Sequence, residues 1–171
     1  DRAHPQRPGI WPGGLNTTPL RLWRIVTGRH PIWSGDGARL FGQRWNPPGL
    51  AAIYTGTSFA VCLVEILVHA NRKTPPSAAR FVEALVPDDV SREVLDPALL
   101  PGWNDPHDTS VAQAFGRIWI EQRRSALLVV PSIVTAGRDT NVVVNPEHPD
   151  AGRIRVGPEK AVALDPRLFH A

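Results

Sequence analysis

A chain of 171 residues with 42% hydrophobic and 20% charged residues has the length and composition of one globular domain with a sizeable core. No apolar stretch reaches the roughly 18 residues of a membrane span, and no signal peptide is visible at the N-terminus. These features, with a single cysteine, lead us to expect a cytoplasmic protein. The net charge of +3 comes from 17 Arg and two Lys against 16 acidic residues. Since these basic residues are not clustered, we expect no direct binding to nucleic acid.

The first third of the chain divides into a lead-in, a strand and a long loop. Residues 1–18 are rich in Pro and Gly and predict a flexible lead-in to a single domain over 19–171. Alternating apolar residues predict a strand over 20–27. Residues 28–50 are then expected to form a loop, and loops of this length inside compact domains are usually functional.

The rest of the pattern mixes strands and helices without a regular repeat. Strands are predicted over 51–55, 80–86, 126–134 and 141–144, helices over 58–71 and 109–124, and a closing hairpin over 153–156 and 160–164 around Gly157–Pro158. This order predicts an α+β domain with mainly antiparallel sheets and flanking helices.

The helix predicted over 58–71 holds one charged residue in unusual surroundings. Glu65 is its only acidic side chain, in an apolar run that also holds Cys62, which we expect as a buried small residue. A helix this apolar is expected to be buried on most sides, where a lone carboxylate costs several kcal/mol unless something compensates. Glu65 therefore either pairs with a cation or lines a cavity where its charge is used. His69 follows at a spacing that suits two metal ligands, but no other histidine has ligand-like spacing, and we expect no metal.

The segment 35–49, Gly-Asp-Gly-Ala-Arg-Leu-Phe-Gly-Gln-Arg-Trp-Asn-Pro-Pro-Gly, is the second unusual element. Its glycines let backbone amides approach a ligand closely. Arg44 supplies a fork for phosphate or carboxylate, and Trp45 supplies a stacking face. No Walker or dinucleotide-binding pattern is present. A structural loop with Trp45 packed inward is the alternative, and both interpretations stay open.

Two polar residues lie next to apolar strands. Ser132 follows Val-Val-Pro and is either a satisfied core hydroxyl or a group that faces a site. It is not part of a Gly-x-Ser-x-Gly turn, so a Ser-His-Asp hydrolase is unsupported. Asn145 precedes a proline. This pair indicates a turn as the first interpretation and a ligand contact as the second.

Together these residues resemble a known family. The segment Gly-Gln-Arg-Trp-Asn-Pro-Pro-Gly, which has Gln43 where a second Gly is common, is followed by Ile-Tyr, the helical glutamate, Pro-Ser and Asn-Pro. This order resembles the RES domain family, the toxins of RES–Xre toxin–antitoxin pairs, named for an Arg, a Glu and a Ser. The resemblance covers roughly residues 20 to 169 and rests on Arg24, Arg44, Tyr54, Glu65 and Ser132.

The resemblance implies a compact relative of the ADP-ribosyltransferase fold. It also implies a toxin that degrades NAD by cleaving the nicotinamide–ribose bond through hydrolysis or phosphorolysis, with transfer of ADP-ribose to a protein as the alternative. Glu65 is then the catalytic carboxylate, assisted by Arg24 and Ser132. The residues expected to bind NAD are Arg24, Arg44, Tyr54, Trp45 and Asn145.

The same resemblance implies partners. NAD is the substrate, so no permanently bound cofactor is expected. The expected protein partner is a cognate Xre-type helix-turn-helix antitoxin, with the toxin as a homodimer inside a larger complex and no membrane contact.

Elementary chemistry agrees with an NAD-cleaving site. Loss of nicotinamide leaves an oxocarbenium-like ribose cation, which a nearby carboxylate stabilises as in glycosidases, and arginine forks suit a pyrophosphate. The high arginine content also motivates a rival from another class, a non-enzymatic binding domain or a toxin acting on RNA.

Overall fold

The computed structural model describes residues 19–69 and 78–168. Its strands are β1 (Leu20–Val26), β2 (Ile53–Gly56), β3 (Arg80–Val86), β4 (Arg92–Val94), β5 (Leu127–Pro131), β6 (Thr140–Val144), β7 (Arg155–Val156) and β8 (Lys160–Ala161). Its helices are α1 (Asp36–Phe41), α2 (Phe59–His69) and α3 (Ser110–Glu121), with 3-10 turns at Pro97–Leu99, Pro149–Arg153 and Pro166–Leu168. The predicted lead-in over 1–18 and the predicted end of α2 beyond residue 69 lie outside the described residues.

One sheet joins all of these strands. Its order is β4-β5-β6-β2-β1-β3-β7, with β8 also paired to β3. Among the residues that the structure describes, the β4–β5 pair is parallel and the other pairs are antiparallel. The predicted α+β class with mainly antiparallel pairing is therefore confirmed.

The predicted closing hairpin is wrong. β7 and β8 do not pair with each other; both lie antiparallel along the same edge of β3. Ala84 is opposite Val156 and Phe81 is opposite Lys160, so the two short strands behave as one strand with a bulge of one residue. Pro158 lies between them, has no N–H to donate and cannot continue the ladder, which explains the interruption.

Three short features were missed or placed differently. The predicted loop over 28–50 contains α1, and the short strand β4 was not predicted. The strand predicted over 126–134 ends at Pro131.

None of the helices in residues 19–69 and 78–168 is long and apolar enough to cross a membrane.

Alternating side chains send the sheet's apolar residues to two sides. On β5, Leu127 packs with Leu22 and Val142 in one cluster, whereas Leu128 packs with Trp119 of α3 in another. All five residues are 0% exposed. Full burial of such a side chain contributes about 1.5–3 kcal/mol to the stability of the fold relative to leaving it exposed. Both faces of the central strands are therefore covered.

Two glycines allow helices α2 and α3 to pack closely against their neighbours. A Cβ at Gly116 of α3 would lie 1.8 Å from the carbonyl oxygen of Trp45, so the glycine-rich loop rests directly on this helix. A Cβ at Gly56 of β2 would lie 2.4 Å from Val61 Cγ1 and 2.8 Å from Cys62 Sγ. Only glycine at position 56 lets α2 lie this close to the sheet.

The outer side of α2 differs from the expectation of burial on most sides. Val61 and Cys62 are buried against the sheet, as expected for the cysteine, but Val64 is 36% and Val68 57% exposed. The helix thus has one buried side and one apolar side that faces outward among the described residues.

Candidate active site

Helix α2 aims Glu65 at the end of the β5–β6 pair. Ser58 Oγ accepts a hydrogen bond from the Val61 amide at 3.1 Å, which satisfies an N–H of the first helical turn. The contact of α2 with Gly56 fixes the depth of the helix on the sheet. Glu65, one turn beyond Val61, is half-buried, and its carboxylate reaches residues that follow β5 and begin β6.

Two neutral donors hold this carboxylate. Ser132 Oγ donates to Glu65 Oε1 at 2.9 Å, and Asn141 Nδ2 donates to the same oxygen at 2.7 Å. Hydrogen bonds to the ionised form stabilise it without neutralising its charge. Glu65 is therefore an oriented carboxylate whose negative charge is not cancelled by these contacts.

The alternative of a salt bridge to Glu65 is wrong for the described residues. None of their ion pairs includes Glu65. Arg24 and Arg44, the two arginines of the predicted site, bind backbone carbonyls. The cost of burying Glu65 is offset by partial exposure and by neutral hydrogen bonds.

Arg24 on β1 ties three parts of the backbone together. Its Nε donates to Ile32 O at 2.6 Å, Nη1 to Tyr54 O at 2.8 Å and Nη2 to Ser34 O at 3.3 Å. Burial lowers the pKa of Arg24 to about 10, so the guanidinium is still cationic at neutral pH. Three of its five N–H groups are used on the protein. The arginine therefore fixes the start of the glycine-rich loop against β2.

Arg44 has more freedom to bind a ligand. Nη1 donates to Trp103 O at 3.0 Å and to Asp105 O at 2.8 Å, which anchors the chain before α3. The Nε–Nη2 edge makes no hydrogen bond within the described residues. Such an edge is the part of a guanidinium that binds phosphate or carboxylate bidentately.

Tyr54 organises the same loop from β2. Its hydroxyl donates to Asn46 Oδ1 at 2.7 Å and accepts from the Trp45 amide at 2.9 Å. Burial raises the pKa of Tyr54 above its usual value, so the hydroxyl stays protonated. Asn46 is fully buried and donates in turn to Ala38 O and Leu50 O, and the loop is thereby fixed at both ends.

Trp45 and Asn145 are placed inside the protein. The Trp45 ring is 3% exposed and stacks on Trp103 with ring centroids 5.9 Å apart. Asn145 is fully buried, donates to Ile120 O at 3.3 Å and accepts from the Glu147 amide at 3.0 Å. Each side chain is enclosed by its packing partners in this structure. That these two residues bind NAD stays a prediction.

Ser132 is also fully buried, and its hydroxyl contacts Glu65. Asn141 was predicted as part of a strand but not as part of the site. Its signal in the sequence is weak, a polar residue that precedes three valines. Its partner is 76 residues away in the chain, and only the sheet brings them together.

Cys62 takes no part in this polar group. Its Sγ donates to Trp23 O at 3.0 Å, and burial raises the pKa of the thiol to about 12. A thiol that stays protonated is a poor nucleophile. Among the described residues, no group of three or more His, Cys, Asp or Glu side chains is arranged to hold a metal ion.

The chain is similar to proteins named as toxins and as NAD-acting enzymes. The chain is 39% identical over 155 residues to the Prs ADP-ribosylating toxin of Sphingobium sp. strain YBL2, covering 86% of this chain and 96% of that protein. A shorter match of 60 residues, 45% identical, links it to the NAD(+) phosphorylase MbcT of Mycobacterium tuberculosis strain H37Rv and covers 34% of this chain and 32% of MbcT.

A solved structure shares the fold. In the crystal structure of the M. tuberculosis MbcT–MbcA toxin–antitoxin complex, one chain superposes with a TM-score of 0.72 at 25% identity, covering 88% of this chain and 87% of that chain. Residues 21–165 match the RES domain, which spans every residue of the site described above. This chain therefore belongs to the RES domain family.

Proposed function

We propose that this chain is an NAD-consuming toxin that cleaves the bond between nicotinamide and ribose. The observation that carries the proposal is the Glu65 carboxylate, which Ser132 and Asn141 hold by neutral hydrogen bonds and which forms no ion pair among the described residues. The names of the relatives support it, since one is an NAD(+) phosphorylase and another an ADP-ribosylating toxin. A cytoplasmic location, where NAD is available, is part of the proposal.

In the proposed reaction the C1′–N bond of NAD breaks and its electron pair leaves with the neutral nicotinamide. The ribose C1′ takes on positive charge, and Glu65 stabilises it directly or through the ribose 2′-hydroxyl. One preorganised electrostatic group of this kind is worth about 3 kcal/mol in the barrier. The acceptor oxygen then bonds to C1′ and loses its proton.

We assign substrate binding mainly to Arg44 and Tyr54. The unoccupied Nε–Nη2 edge of Arg44 suits the pyrophosphate, and the Tyr54 ring is proposed to lie beside the nicotinamide. Arg24 has two N–H groups left for a ribose or phosphate oxygen, but its main task is to hold the loop and β2 in place. Trp45 and Asn145 support the site from inside the core.

A direct assay tests the proposal. Purified protein is mixed with NAD, and free nicotinamide is measured by chromatography for wild type, Glu65→Gln and the matched control Glu121→Gln, an exposed carboxylate on α3. We expect release by wild type and the control, and a loss of about 100-fold or more in Glu65→Gln. No release by wild type, with Glu65→Gln no different, would show that the NAD-cleaving function is wrong.

The acceptor of ADP-ribose separates two versions of the function. Water or phosphate makes the chain an NAD-degrading enzyme, as the name of MbcT describes for that protein. A protein acceptor makes it an ADP-ribosyltransferase, which the relative matched over 86% of this chain favours. Labelled NAD in phosphate-free buffer, in phosphate buffer and in cell lysate distinguishes free ADP-ribose, its phosphorylated form and labelled protein.

We further propose an antitoxin partner, because the chain with the similar fold was solved in a toxin–antitoxin complex. We expect the antitoxin to be of the Xre helix-turn-helix type, to block the site, and to bind a toxin homodimer. Light scattering of the toxin alone and with the product of the neighbouring gene measures both assemblies. Strong RNA or heparin binding at physiological salt with no NAD turnover would instead favour the non-enzymatic or RNA-directed rival.

A further inference from the structure

The two donors to Glu65 lie on either side of the connection between β5 and β6. Ser132 follows β5, and Asn141 is the second residue of β6. Ser132 N donates to Asp139 O at 2.9 Å, and Gly137 N donates to Ser132 O at 2.7 Å. Asn141 is held in the sheet opposite both Val130 and Gly56. The backbone therefore fixes the spacing of the two donors, whether or not Glu65 is present.

Both side chains donate to the same oxygen of the Glu65 carboxylate. Oε1 receives the Ser132 hydroxyl and the Asn141 amide, whereas Oε2 makes no hydrogen bond within the described residues. Ser132 is fully buried, and Glu65 and Asn141 are half-buried. Oε1 is thus the oxygen that the protein itself binds, and Oε2 is the oxygen available to accept a hydrogen bond from a ligand.

We infer that Asn141 is a positioning residue for Glu65: with Ser132 it saturates Oε1, so that Oε2 faces the ribose of NAD. This inference rests on the proposed function. Asn141 is suited to the role because its amide donates at every pH without carrying charge. A hydroxyl rotates about its C–O bond, whereas the amide plane of Asn141 gives a fixed donor direction at 2.7 Å.

Replacing the amide by a carboxylate tests the role with almost no change of shape. In Asn141→Asp a second carboxylate lies where Nδ2 donated, and two carboxylates at this distance share a proton. We expect the acid limb of the pH–rate profile to move up by about one pH unit or more. Asn141→Ala is expected to lower kcat by about tenfold to a hundredfold, the range for one hydrogen bond to a charged group, with KM for NAD within about twofold of wild type.

Gln122→Glu is the matched control, an exposed amide at the end of α3 that gains the same charge. We expect its kcat and pH profile to equal those of wild type. A merely structural role for Asn141 would lower the melting temperature and the active fraction of Asn141→Ala but leave kcat per folded molecule within about twofold of wild type. An unchanged acid limb in Asn141→Asp, or kcat of Asn141→Ala within about twofold of wild type, would overturn the inference.

A second readout does not depend on catalysis. Glutamate labelled with ¹³C at Cδ gives a carboxyl resonance for Glu65, assigned by its loss in Glu65→Gln. We expect the chemical shift of this resonance at neutral pH to change in Asn141→Asp and not in Gln122→Glu, because only the first variant alters the contact with Oε1. If wild type releases no nicotinamide but this shift occurs, the proposed function fails and the contact with Asn141 stands. If nicotinamide is released and no shift occurs, the positioning role fails alone.

Discussion

The Tyr54 hydroxyl offers a test of how the glycine-rich loop is held. Tyr54→Phe keeps the ring but removes the group that donates to Asn46 Oδ1 and accepts from the Trp45 amide. Both partners lie in buried residues, so two polar groups lose their hydrogen bonds without access to bulk water. At about 1–2 kcal/mol for each orphaned group, we expect the free energy of unfolding to fall by about 2–4 kcal/mol.

For a chain of this length that loss corresponds to a decrease in Tm of about 5–15 °C, measured by circular dichroism or scanning fluorimetry. Thr109→Val is the matched control, because the Thr109 hydroxyl makes no cap hydrogen bond to α3, and its Tm should equal that of wild type. Since the ring remains, kcat/KM for NAD well below the Tm should stay within about threefold of wild type. A Tm within about 2 °C of wild type would refute the assignment of the hydroxyl as the link between β2 and the loop.

Three further predictions concern other parts of the molecule. Gly116→Ala places a methyl 1.8 Å from the Trp45 carbonyl and should destabilise the protein by about 3 kcal/mol, seen as a lower urea midpoint than for Gly152→Ala, where a Cβ meets nothing. Arg24→Ala, Arg44→Ala and Glu65→Ala should each relieve the toxicity of the free protein in its host; only Arg24→Ala should also lower the Tm strongly, because it leaves three carbonyls unpaired, and full toxicity at normal expression would contradict the site. Because burial raises the pKa of Cys62 to about 12, the thiol should resist alkylation at pH 8 until urea unfolds the chain; rapid labelling of the native protein would contradict its burial.

The sequence predicted those parts of the fold that have long periodic patterns. β1, β3 and α3 were predicted because several consecutive residues repeat at strand or helix spacing. α1 has six residues in a glycine-rich segment and β4 has three, too few for a period to show. The hairpin was predicted from Gly157–Pro158, but turn residues do not say which strand their neighbours pair with, and the open edge of β3 took both.

The candidate site also has a part that the sequence predicted and a part that it did not. The family resemblance and the apolar surroundings of its carboxylate identify Glu65 from the sequence, whereas its hydrogen-bond partners depend on contacts between distant segments. A cation partner or a cavity was expected, because a charge in an apolar helix needs compensation. Ser132 and Asn141 provide it as neutral donors. The burial of Trp45 likewise depends on Gly116 and Trp103, which no local pattern connects to it.

The long sequence separation within the polar group has a consequence for synthesis of the protein. Glu65 meets Ser132 and Asn141 across 67 and 76 residues. At about 5–20 residues per second, the ribosome makes Asn141 roughly 4–15 s after Glu65. During that interval the growing chain carries the carboxylate without its two donors. A chain released before β6 therefore lacks the assembled site, and truncated translation products should be harmless to the cell.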